Sequence, residues 1–161
     1  MYKIFFTMLG CLAGTAAVAQ TDCSAPVLQV LHNGQAIPAT GSALPASAQM
    51  RLVPAPGCPA AGSYRATGAE VTLVRAGRPV LPIMLVSQSR LDLRALQRVA
   101  RPGDHLFVFI PYENLLVVAA DGSQRPYAKP TPKPDRPRLS PNDVKGVSFK
   151  WLIVPPELGA K

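Results

Sequence analysis

Apolar and polar residues alternate in short runs along this chain, and Gly, Pro and Asn punctuate them. A period of two sends successive side chains to opposite faces of a strand, so the pattern predicts many short strands joined by tight turns. Residues 27–31 give the first strand, and His32-Asn33-Gly34-Gln35 follows with the Asn-Gly pair that suits a hairpin turn. Residues 38–47 read as loop. At 48–52, Ala, Met and Leu alternate with Gln49 and Arg51, which places those two on one face until Pro54, Pro56 and Pro59 end the strand. Residues 69–74 predict another strand, closed by Arg75-Ala76-Gly77-Arg78. Residues 80–86 predict the next, with Pro82 placing it at an edge or a bulge.

One helix is expected over residues 89–101. Ser89 stands as its N-cap, Asp92 takes the capping-box position, and Leu93, Leu96 and Ala100 fall on one face. Pro102-Gly103 stops it. Strand pattern then resumes at 105–110, with Leu106, Val108 and Ile110 in register, and again at 115–120, ended by Asp121-Gly122. Residues 147–153 carry Val147, Phe149, Trp151 and Ile153 on one face against Ser148 and Lys150, the pattern of a core strand holding the chain's single Trp. Seven or eight short strands and one short helix predict a mainly β, immunoglobulin-like β-sandwich, with a small open β-barrel as the alternative.

Composition changes the picture first at the amino terminus. Lys3 precedes an apolar run over residues 4–12, and small residues end at Ala17-Val18-Ala19, the layout of a secretory signal peptide cleaved after residue 19. The run is too short to span a bilayer as a helix, so no membrane span is expected after cleavage. Cys11 gives a minor lipoprotein alternative. Residues 20–161 then form a single domain, exported to the periplasm or secreted. Cys23 and Cys58 survive cleavage, and an even count in an exported chain predicts one disulfide between them.

The chain from Gln20 holds sixteen Lys and Arg against nine Asp and Glu, a net of +7, and residues 125–161 hold +5 of it. Such a segment suits an acidic protein or an anionic polymer, whereas export and the lack of an aromatic-rich recognition motif argue against nucleic acid. Candidate chemistry is sparse. His32 falls in the predicted turn and His105 begins a strand, with no third partner set by spacing. No His-Glu-x-x-His, Cys-x-x-Cys or Gly-x-Ser-x-Gly pattern occurs, so zinc, thiol-redox and serine-hydrolase chemistry lack their usual anchors. Asp92, Asp104 and Asp121 each occupy capping or turn positions. The expectation is a non-enzymatic protein without a catalytic residue, metal or cofactor.

Residues 126–141, PYAKPTPKPDRPRLSP, hold six of the eighteen prolines and four basic groups. Proline removes amide donors and fixes φ, so this run favours extended backbone, and the strands expected on both sides make it a long loop within the domain. Tyr127, Lys129, Lys133, Arg136 and Arg138 are its candidate partner-binding residues, with Tyr112 and Arg125 as neighbours. An alternative ligand is an anionic envelope glycan or polymer.

LDLRALQRVARPGDHLFVFI at 91–110, followed by AADG at 119–122, resembles the carboxy-terminal domain of GldM proteins of the gliding-motility and type IX secretion machinery. The likeness runs over residues 65–154: a strand and Gly turn at 70–77, a short helix, an Arg-Pro-Gly-Asp turn into a strand, an Asp-Gly turn and a final strand. Ala-Val-Ala-Gln at the signal end is also similar. GldM proteins carry a membrane helix and several periplasmic domains before this one, and the proline-rich run reads as an insertion. The resemblance therefore implies a stand-alone exported module binding another envelope or secreted protein, without motor coupling.

Overall fold

The computed structural model describes residues 26–58, 62–127 and 146–155. In chain order its elements are β1 (Val27–His32), β2 (Gln35–Ala36), β3 (Ser47–Val53), β4 (Ser63–Ala66), β5 (Ala69–Arg75), β6 (Arg78–Pro79), β7 (Met84–Val86), β8 (Arg90–Asp92), α1 (Arg94–Gln97) and β9 (His105–Pro111). A 3-10 turn (Tyr112–Asn114), β10 (Leu115–Val118), β11 (Gln124–Pro126) and β12 (Gly146–Leu152) complete them. The fold is mainly β, in three antiparallel sheets that do not close into a barrel. The first has the order β2-β1-β3-β8 and the second β11-β10-β4. The third runs β12-β9-β5, with β6 and β7 both paired to β5.

The period-two pattern decides which side chains meet. Leu28, Val30, Ala48, Met50 and Leu91 from the first sheet share one buried cluster with Val71, Leu73, Leu106, Val108, Ile110 and Trp151 from the third. Leu115 adds the second sheet to that cluster. The expected registers hold: Leu106, Val108 and Ile110 are buried, while Gln49 and Arg51 point outward. The Asn-Gly turn is the β1–β2 hairpin, where Asn33 and Gly34 take φ of 50° and 79°, the two positive values a two-residue hairpin turn needs.

The helix is the main correction. Residues 89–92 are not its start, because Arg90–Asp92 is a strand pairing with β3, and the Ser89 carbonyl accepts from the Met50 amide at 2.7 Å. Helix α1 spans only Arg94–Gln97, follows Leu93 without a side-chain cap, and buries Leu96. Leu91 and Leu93 suit an i, i+2 pattern as well as Leu93 and Leu96 suit a helical one, and pairing with β3 selected the strand. Residues 80–86 form a strand only at Met84–Val86; Arg78–Pro79 pairs separately with the end of β5, so the Pro82 segment interrupts an edge. Strands β4 and β11 were not expected. Pro126 ends β11 at a sheet edge, where a missing amide costs least.

Asp104 is the one buried charged residue among the described residues. Arg75 Nε and Nη2 donate to its two carboxylate oxygens at 2.8 Å each, and the Arg101 amide adds a third bond at 2.8 Å. Arg75 also donates to the Val99 carbonyl. The clamp joins the end of β5 to the turn entering β9. The Arg75 guanidinium holds the Asp104 carboxyl below the usual carboxylate range, outweighing burial, which pushes the other way. Among the described residues no helix is long and apolar enough to cross a membrane.

Candidate functional site

The second sheet carries the most distinctive surface chemistry. Its cross-strand rows read Tyr64–Val117–Arg125 and Arg65–Leu116–Pro126, and the Tyr127 amide extends the pairing by donating to the Leu115 carbonyl at 2.9 Å. Alternation therefore puts Tyr64, Arg125 and Tyr127 on the face that also carries Val117 and Leu115. The 3-10 turn before β10 brings Tyr112 to the same place. The ring centroids of Tyr112 and Tyr127 lie 5.4 Å apart, and those of Tyr64 and Tyr127 lie 6.3 Å apart with edge-to-face geometry. All three rings are half-buried and Arg125 is exposed. Burial raises the Tyr127 phenol above the ordinary tyrosine range, with further pushes from Tyr112 and then Tyr64.

A groove opens beside this cluster, between β3 and β4. It encloses about 430 Å³ and is lined by Met50, Leu52, Pro54, Tyr64 and Ala66, with Arg51 and Arg65 also on its walls. Hydrogen-bond alternation turns backbone groups into it. The Thr67 amide donates to the Asn114 carbonyl at 2.8 Å, which assigns Arg65 and Thr67 to bonding with the β10 side. Tyr64 and Ala66 then direct their own amide and carbonyl groups away from β10, into the groove. Across it, β3 bonds β8 through Met50, so alternation sends the Leu52 backbone to the same open side. Among the described residues no backbone partner meets Tyr64, Ala66 or Leu52 there. Arg51, Arg65 and Arg125 enter no ion pair among the described residues.

Of the residues expected from sequence, the structure brings Tyr112 and Tyr127 together and places Arg125 on their face. Tyr64 was missed. Its signal is the alternation in Ser63-Tyr64-Arg65-Ala66 between two Gly-containing turns. Lys129, Lys133, Arg136 and Arg138 lie outside the described residues, as does Cys23. Cys58 is disulfide-bonded.

Four other titratable groups, His32, His105, Asp92 and Asp121, have local structural roles. His32 Nδ1 lies 3.0 Å from the Ser47 carbonyl, and the His105 ring lies beside that of Phe107, tilted by 39° with centroids 6.5 Å apart. Asp92 pairs with Arg94 at 2.6 Å, which lowers its carboxyl to about 2, and Asp121 accepts from the Ser123 amide at 2.9 Å. Among the described residues no group of three metal-ligating side chains forms. A larger groove of about 510 Å³ lies by Ser47, Gln88 and Arg90, but Arg94 on its wall is already committed to Asp92 and it has no aromatic wall. Comparison of the chain with known protein families, curated proteins and solved structures finds no match.

Proposed function

We propose that the protein is an exported, non-enzymatic interaction module on an immunoglobulin-like β-sandwich, a stand-alone relative of the GldM carboxy-terminal domain. Its partner is another envelope or secreted protein, which docks as an extended segment along β4. The observation that carries this reading is the outward-turned backbone of Tyr64 and Ala66 at the edge of the second sheet. Unpaired strand-edge groups are a template for an added strand, whose main-chain bonds give affinity while side-chain pockets give selectivity. Tyr64 joins the groove to the tyrosine cluster, which supplies rigid aromatic area beside the docked segment. Arg51 and Arg65 on the groove walls favour a segment carrying acidic side chains. The chain beyond Tyr127 adds Lys129, Lys133, Arg136 and Arg138 in sequence, with the same preference.

Ala66→Pro tests the docking mode. It deletes an amide that faces the groove and none that bonds β10, so the sheet keeps its ladder while strand addition is blocked. Segments selected from a displayed library of extended peptides should bind this variant at least about tenfold more weakly, the equivalent of one to two lost hydrogen bonds. Equal binding to both chains would reject the docking mode.

A second reading, an anionic envelope glycan or polymer as ligand, is favoured by the convergence of three half-exposed tyrosines with Arg125. It requires affinity that falls steeply with salt and is lost in Tyr127→Ala. Binding of a sulfated polysaccharide that is insensitive to either change would remove it.

A further inference from the structure

The outer face of the third sheet departs from the polar surface that a one-sided antiparallel sheet ordinarily shows to water. Its rows read Ser148–Phe109–Glu70–Leu85 and Lys150–Phe107–Thr72, with Leu152–His105–Val74 beyond them. Phe107 and Phe109 are half-buried, Leu85 is 81% exposed, and Ile83 just before β7 is 54% exposed. Lys150 Nζ stands 5.4 Å from the Phe107 ring centroid. Contiguous apolar surface with a charged rim marks an interaction site.

The charges on this face select its occupant. Lys150 and Glu70 flank the phenylalanine column on opposite sides, one on β12 and the other on β5, and neither enters an ion pair among the described residues. A two-fold axis lying in the interface and passing between Phe107 and Phe109 would set Lys150 of each copy against Glu70 of the other. The surface is therefore complementary to itself: aromatic at the centre, with two equivalent ion pairs at the flanks. We infer that the chain forms a symmetric dimer through this sheet face, with a second copy as the occupant. The face is separate from the groove at β4, so the dimer and the docking site stand or fall independently.

Sedimentation equilibrium on the chain from Gln20 tests the dimer. Wild type should show a monomer–dimer equilibrium in the micromolar range. Glu70→Lys and Lys150→Glu should each weaken it at least about tenfold, because each homodimer then opposes like charges twice. Mixed in equal amounts, the two variants should associate as tightly as wild type, since each supplies the charge the other lacks. Circular dichroism of each variant confirms that it is folded, and Ala66→Pro should leave the dimer constant unchanged. A wild type that stays monomeric, variants that dimerise as wild type does, or a mixture no tighter than its components would each overturn the proposal.

Discussion

Asp104→Asn isolates the buried charge of the fold. Its carboxylate accepts two bonds from Arg75 and one from the Arg101 amide, all at 2.8 Å. Asparagine keeps the shape and one acceptor oxygen but gives up the charge. A hydrogen bond to an ionised group contributes about 1.5–3 kcal/mol. The Arg75 side chain is 35% exposed, so water screens part of the attraction and the low end applies. The variant should therefore lose about 1.5–2 kcal/mol at neutral pH. The pH dependence gives the sharper test. The folded state lowers the Asp104 pKa, so its contribution is complete above the unfolded carboxyl value of about 3.9 and is lost as pH falls through the lower folded value. Urea titrations of both chains should show the full gap at neutral pH and a closing gap below about pH 4. No gap at neutral pH, or one of undiminished size in acid, would refute the role assigned to the clamp.

Two further perturbations probe packing and covalent structure. A Cβ on Gly146 would press on the Ile110 carbonyl oxygen and lie 2.6 Å from the Phe109 ring, so Gly146→Ala should lower stability by about 1–3 kcal/mol in thermal melts. A melt equal to wild type would refute the close approach of Gly146 to the Ile110 carbonyl and the Phe109 ring on which this expectation rests. Cys58 is disulfide-bonded, and the sequence expects Cys23 to be its partner, so the denatured chain from Gln20 should label with no thiol-reactive dye. Reduction should then cost about 3–4 kcal/mol of stability; two dye-reactive thiols before reduction would remove the bridge.

The strands with long apolar stripes were legible in sequence because burial on one face forces a period of two. Leu106, Val108 and Ile110 in β9, Val147 and Trp151 in β12 and Ile153 just after it lie in the core where that period put them, and Phe149 on the same face is half-buried against it. Short elements were less legible. Arg90-Leu91-Asp92 contributes a single buried side chain, too few to show a period, and its strand exists because β3 offers an edge. Ser63-Tyr64-Arg65-Ala66 has no fully buried residue at all, and β10 alone defines it. This is also why the candidate site was only half visible. Tyr112 and Tyr127 could be named from their closeness to the proline-rich run, but Tyr64 joins them through a sheet pairing between segments far apart in the chain. The groove depends on which backbone groups a ladder leaves unused, a property of pairing register that residue identity does not encode.

The most direct test of the central claim is an amide-resolved NMR titration with an acidic, extended peptide selected from the displayed library. The amides of Leu52, Tyr64 and Ala66 should shift together and become protected from exchange, while those of Arg65 and Thr67, already on the β10 side, keep their protection. Tight binding that moves none of the three groove-facing amides would contradict that claim.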